Sequence, residues 1–175
     1  MLGVYVHIPF CRHKCLYCDF PSYSGLDCYM AGYVPALCRE IAATPYAGKP
    51  VDTIYIGGGT PSILSAPSME AIVRTLRQTF AVTGDAEITI EANPESLDRE
   101  KAEAYVACGI NRLSLGIQSF SDEMLSFLGR IHTAKEGEQA LDAAWKAGIR
   151  NLSIDLMYGL PGQTVDDVRR DVQRL

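Results

Sequence analysis

The chain has 175 residues, 47% hydrophobic and 21% charged, with 16 Lys and Arg against 21 Asp and Glu for a net charge of −5. A mean hydropathy of +0.02 and a pI near 5.2 fit a chain that buries a single core and exclude disorder, and the acidic balance argues against nucleic acid as a partner. No uncharged apolar stretch approaches the roughly 18 residues of a membrane span, and the N-terminus lacks the cationic segment of a secretory leader, so a cytoplasmic location is expected.

In chain order, Leu2–His7 reads as a strand and Asp27–Thr44 as a helix that Pro35 should kink or delay. Thr53–Ile56 is a second strand, followed by a glycine-rich turn. Met69, Ile72, Val73, Leu76 and Phe80 form one helical stripe. Glu87–Glu91 is a third strand, and a helix from Asp98 to Cys108 stops at Gly109. Arg112–Gly116 is a fourth strand, with a short helix near Ser121–Leu128 after it. Thr133 and Glu136 form the capping box of a helix that ends at Gly148. Asn151–Tyr158 is a fifth strand, and the helix begun at Thr164 carries Val165, Val168, Val172 and Leu175 on one side. The segment Cys108–Gly116 is echoed at Ala147–Gly159, a helix-stopping glycine leading straight into a strand. Such alternation predicts right-handed βαβ units and a parallel sheet. A closed eight-unit barrel takes about 250 residues, so the α/β expectation is a small open sheet or the N-terminal part of a barrel, and the second is preferred.

Cys11, Cys15 and Cys18 crowd into Cys-x3-Cys-x2-Cys directly after the first strand, whereas Cys28, Cys38 and Cys108 are scattered and read as ordinary. Three thiolates on one loop can hold three corners of a cubane cluster and leave one iron without a protein ligand. Structural zinc takes four closed ligands, for which His7 or His13 would have to supply the fourth. Thiol redox chemistry stays open on spacing alone, as does a non-enzymatic electron carrier, although carriers normally supply four cysteines per cluster.

The blocks "YVHIPFCRHKCLYCDF", "TIYIGGGTPS", "EANPE", "GINRLSLGIQSF", "LGRIHT" and "IDLMYGLPGQT" together resemble the radical S-adenosylmethionine (SAM) family of anaerobic coproporphyrinogen III oxidases and related heme chaperones. The resemblance covers essentially the whole chain and implies a partial (β/α) barrel of about five units, with the last unit and a C-terminal domain absent. It implies a [4Fe–4S] cluster on Cys11, Cys15 and Cys18, with the SAM amino and carboxylate groups on the open iron. Reduction then splits the sulfonium to a 5′-deoxyadenosyl radical. A low-potential electron donor and heme or coproporphyrinogen III are the implied partners.

By the same resemblance Gly58, Gly59 and Thr60 contact the SAM amino group; alone, a glycine triplet is a tight turn. Glu91, at a strand end, can accept hydrogen bonds from ribose hydroxyls or an ammonium, and without the resemblance it reads as a solvated charge. Gln118 otherwise reads as a loop amide. Asp155 sits inside an apolar strand, where a carboxylate must be paired or face a ligand; Arg130 is the expected partner and itself an implied ligand contact. Tyr5 is implied near SAM and Tyr17 against adenine. Positions matching Tyr17, Gln118, Arg130 and Asp155 hold a second SAM in some members. His7, His13 and His132 read as structural or solvent-facing. Within the family, the oxidases carry a fourth cysteine two residues after the third and an N-terminal arm. Phe20 stands at that position here and the chain starts at the strand, so the heme chaperone group is favoured. The polypeptide alone is expected to host a cluster and turn over poorly, with its fifth strand an exposed edge.

Overall fold

In the computed structural model, which describes residues 1–175, five parallel strands stand side by side in the order β1 (Leu2–Ile8), β4 (Pro50–Gly58), β5 (Ala81–Ala92), β6 (Arg112–Gln118) and β7 (Asn151–Leu156). Strand order follows chain order, so every crossover runs in the same direction. Right-handed crossovers of that kind place all the helices on one face of the sheet, as in a barrel and unlike a doubly wound sheet. The residues agree. Val6, Ile8, Ile54, Ile56, Ile88, Ile90, Leu113, Leu115 and Ile117 point one way into the core, where they meet Met69, Ile72, Val73 and Leu76 of α2 (Ala66–Thr79). Ala102 and Tyr105 of α3 (Arg99–Cys108) and Ala140 and Ala144 of α5 (Ala134–Ala147) complete the layer, with α1 (Met30–Ala42) packed against α2.

The alternate positions carry Tyr5, His7, Tyr55, Glu87, Thr89, Glu91, Arg112, Ser114 and Asp155, which register places across from one another. One sheet face is thus apolar and helix-covered, and the other is polar and free of helices. That asymmetry puts polar chemistry on the inner face of a partial barrel.

Several expectations change in detail. A single 3₁₀ turn over Asp27–Tyr29 precedes α1, which begins at Met30 and keeps Pro35 inside it. The third sheet strand extends back to Ala81, but its first part pairs only through Ala81 and Val82 before the register jumps to Glu87. A two-residue parallel pair, β2 (Phe10–Cys11) with β3 (Tyr23–Ser24), closes the cysteine loop. The short α4 (Asp122–Phe127) lies between β6 and α5.

In α6 (Val165–Gln173), Val165, Val172 and the following Leu175 are exposed, and the buried residue is Asp171. β7 is the sheet edge, so no further strand offers a surface to that apolar stripe. The Asp171 carboxylate instead accepts from Ser119 Oγ at 2.7 Å and from the Phe120 N–H at 3.0 Å, fastening α6 to the end of β6. Asp171→Ala leaves both donors buried and unpaired, so a loss of about 1.5–3 kcal/mol is expected, read as a fall in the urea midpoint.

Candidate functional site

A cavity of about 200 Å³ opens at the C-terminal ends of the strands, lined by the cysteine loop, the turn after β4 and the ends of β5, β6 and β7. In α/β folds built of parallel strands this is the end where ligands bind.

The loop is held as a fixed arc. The Lys14 ammonium donates to the Phe20 carbonyl at 2.7 Å and the Ser22 carbonyl at 3.2 Å, Cys18 N–H donates to the Cys15 carbonyl at 3.1 Å, and Tyr23 N–H to the Pro9 carbonyl at 2.8 Å. Cys11 is buried and Cys15 and Cys18 are half-buried; all six cysteines are free. Thr60 Oγ1 donates to Cys11 Sγ at 3.5 Å and Arg130 Nη1 to Cys15 Sγ at 3.6 Å, so two of the three sulfurs sit beside a donor. No three His, Cys, Asp or Glu side chains gather as the ligands of a single metal ion do. The donor set fits a cluster: three free thiols on one short, braced arc, two of them next to groups that stabilise sulfur-centred negative charge.

The turn after β4 continues the parallel ladder past its end. Gly59 N–H donates to the Ile8 carbonyl and Thr60 N–H to the Phe10 carbonyl, both at 2.8 Å, while Gly58 N–H donates to Glu91 Oε2 at 3.0 Å. All three amide protons are therefore used internally, and the Gly59 carbonyl oxygen has no donor. The turn offers one free backbone acceptor, the Gly59 carbonyl, and no free amide proton, which suits an ammonium rather than an anion. Gly58 has φ +120°, and a Cβ there would lie 2.8 Å from the His7 ring, so only glycine fits.

Glu91 is held at both oxygens: Tyr55 Oη donates to Oε1 at 2.7 Å, and Gly58 N–H holds Oε2. Burial pushes the Tyr55 phenol well above its ordinary value, and the Glu91 carboxylate adds to that. At β6 the ladder slips between Gly116 and Gln118, and Gln118 takes φ 67°, unusual for a non-glycine residue. This bulge turns the Gln118 side chain toward the cavity, a recurrent use of bulges beside functional sites. Burial raises the Tyr17 phenol to about 12, opposed by the Arg130 guanidinium and reinforced by Cys15.

Of the residues expected from the motifs, Cys11, Cys15, Cys18, Tyr17, Gly58, Gly59, Thr60, Glu91, Gln118, Arg130 and Asp155 all line this one cavity. Tyr5 does not. It lies farther down the inner face, stacked on Tyr55 at 6.2 Å between ring centroids and bonded to His7 Nδ1 at 2.9 Å. The expected Arg130–Asp155 pair is replaced: Arg130 Nη2 donates to Asn93 Oδ1 at 2.9 Å and the Gly116 carbonyl at 2.8 Å. Asp155 belongs to the edge strand and faces the polar side, so it is exposed rather than enclosed by apolar neighbours. Its partial burial raises its carboxyl above the usual range, against the pull of Arg112 and Arg130. Asn93, Lys14 and Ser114 also line the cavity and went unforeseen. Asn93 stands inside the EANPE block, two residues after Glu91, which was the available signal.

The family model of the radical SAM superfamily matches residues 5–175. The heme chaperone HemW of Synechocystis is 45% identical over 171 residues, covering 94% of this chain and 42% of that protein. HemW of Escherichia coli is 41% identical over 179 residues, covering 99% and 47%. The structure of coproporphyrinogen III oxidase (HemN) from Escherichia coli, described as a radical SAM enzyme, superposes with a TM-score of 0.90 at 32% identity, covering 98% of this chain and 40% of that one. The chain thus spans less than half the length of these relatives. With the three-cysteine loop, the glycine turn and the strand-end polar groups around one cavity, and with the family model matched along nearly its whole length, this chain belongs to the radical SAM superfamily.

Proposed function

We propose that residues 1–175 are the cluster- and SAM-binding core of a heme chaperone-like protein, the full barrel and the C-terminal domain belonging to a longer polypeptide. One observation carries the reading: residues from five separate strand ends, each expected from its own motif, meet around a single cavity. Cys11, Cys15 and Cys18 would hold the cluster. The free Gly59 carbonyl in the turn at Gly58–Thr60 suits the SAM ammonium, and Glu91, locked by Tyr55 and Gly58, offers its remaining lone pairs to ribose hydroxyls. Tyr17 stands where adenine would rest, and Gln118, Arg130 and Asp155 close the opposite wall; the stoichiometry of SAM in titration calorimetry decides whether they hold a second molecule. When bound, the cluster and SAM supply one-electron reduction of a sulfonium, chemistry that belongs to the cofactors and draws on a low-potential donor.

The choice of heme chaperone rests on the relatives: four HemW proteins are 38–45% identical, against 32% for the oxidase. Phe20 in place of a fourth cysteine agrees. The 0.90 TM-score to the oxidase supports the second reading, oxidative decarboxylation of coproporphyrinogen III. The longer polypeptide that contains this core, anaerobically reconstituted and supplied with SAM and a reductant, separates the two. The chaperone reading expects a new heme absorption band that saturates on titration, and no consumption of coproporphyrinogen III. Conversion of propionate to vinyl groups without heme binding overturns it.

Tyr55→Phe keeps the ring stacked on Tyr5 but frees one Glu91 oxygen. SAM binding is expected to weaken about fivefold, roughly 1 kcal/mol, in titration calorimetry of the reconstituted protein.

A further inference from the structure

Two turns meet beside the cavity, one over Asn93–Ser96 after β5 and one over Gly129–Thr133 before α5. They are joined by two rungs. In the cavity, Arg130 Nη2 donates to Asn93 Oδ1 and to the Gly116 carbonyl. Two residues on in each turn, and out of the cavity, His132 faces Glu95 and the Ile117 carbonyl: Nε2 lies 3.2 Å from Ile117 O and Nδ1 lies 3.6 Å from Glu95 Oε2. A step of two residues links Arg130 to His132 and Asn93 to Glu95, while their β6 acceptors, the carbonyls of Gly116 and Ile117, are adjacent in the chain.

The second rung is buried. The His132 side chain is 0% exposed and that of Glu95 13%. Neither His132 Nδ1 nor Glu95 Oε2 has a hydrogen-bond partner, and they face each other at ion-pair range. A carbonyl only accepts, so with Nε2 donating to Ile117 O the ring turns Nδ1 toward the Glu95 carboxylate. Burial pushes the Glu95 carboxyl up, but His132, its own backbone N–H and Arg130 outweigh this and hold it below its ordinary value. Such a pair is costly to leave half made, which gives it one geometry.

We propose that His132 and Glu95 are positioning residues that set Arg130 against Asn93 for the ligand in the cavity; the inference rests on the reading of that cavity as a SAM site. The Asn93 turn is the fixed side. Ser96 Oγ donates to the Asn93 carbonyl at 3.0 Å, Ser62 Oγ meets Ser96 Oγ at 2.6 Å, and Lys101 Nζ donates to the carbonyls of Ser62 and Ser96 at 2.7 and 3.1 Å. The Arg130 turn is braced by its backbone bond to the Leu125 carbonyl at 2.9 Å and by the start of α5. Glu95 transmits the position of the first turn to the second through His132, and Arg130 inherits it.

The test compares Glu95→Gln with the double variant Glu95→Leu/His132→Phe in reconstituted protein, reading SAM affinity by titration calorimetry beside the thermal midpoint. In Glu95→Gln the new side-chain amide can donate to Nδ1 of a neutral ring, so the bridge survives and affinity within about twofold of the parent is expected. The double variant leaves no buried charge unpaired, so it should stay folded while SAM affinity falls about tenfold, the size expected for a lost hydrogen-bonded brace. If the double variant does not fold, Glu95→Leu alone is expected to show the same loss. A folded variant without the bridge that binds SAM within twofold of the parent overturns the proposal, as does a tenfold loss in Glu95→Gln. Failure of the parent itself to bind SAM overturns the reading of the cavity instead.

Discussion

Gly59→Val is expected to strip most of the iron from reconstituted protein and to lower stability by about 1–3 kcal/mol, the usual cost of overpacking a close contact. A Cβ at Gly59 would lie 2.7 Å from the Phe10 carbonyl oxygen and 2.9 Å from Cys11 Sγ. Neither moves without a cost, and the backbone carbonyl is the harder of the two to move. The Phe10 carbonyl already accepts the Thr60 N–H at 2.8 Å, its ring is buried edge-on to Tyr33 at 5.2 Å, and Cys11 is buried in the pairing of β2 with β3. The atom pushed is therefore Cys11 Sγ, the first of the proposed cluster ligands, so the damage to iron loading should exceed what the stability loss alone explains. Gly84→Ala is the control, since nothing lies within 4 Å of a Cβ there, and its iron content should match the parent. Iron analysis and urea unfolding of both variants measure the two effects separately.

The second large effect is the split among the cysteines. Cys11→Ser, Cys15→Ser and Cys18→Ser are each expected to abolish the cluster, because in the proposed arrangement each thiolate would hold a separate iron and no other cysteine lines the cavity. Cys28→Ser, Cys38→Ser and Cys108→Ser should leave iron content unchanged. Cys108 shows why: burial pushes its thiol up, and its Sγ donates to the Tyr105 carbonyl at 3.2 Å, a structural bond that a serine hydroxyl can also make. Absorbance of the reconstituted variants in the visible region, with iron and sulfide analysis, gives the ranking. Iron retained in any of the first three variants would remove that thiol from the ligand set.

The strand–helix alternation was legible because its signals are local. The capping box at Thr133 and Glu136 and the stop glycines at 109 and 148 appear in the structure where expected, and so does the stripe from Met69 as far as Leu76, while Phe80, expected on the same stripe, caps the helix in an extended conformation. The cavity wall was legible through motif blocks, which place chemistry at strand ends without giving partners. What escaped depends on contacts distant in sequence. Arg130 meets Asn93 and the Gly116 carbonyl rather than Asp155, partners 37 and 14 residues away in the chain that no spacing rule encodes. The same holds for Asp171, whose part as a brace exists only because the ends of α6 and β6 are brought together. The His132–Glu95 pair was invisible for that reason too: a histidine in a loop carries no signal until a carboxylate from a distant turn is found against it.

Electron paramagnetic resonance of the anaerobically reconstituted, reduced protein, recorded with and without SAM, bears most directly on the central claim. About four irons per chain, with the signal of a reduced [4Fe–4S] centre that changes when SAM is added, is the predicted result, since the change requires an iron that the protein leaves open. A colourless protein holding tetrahedral zinc, or a cluster whose signal ignores SAM, would contradict it.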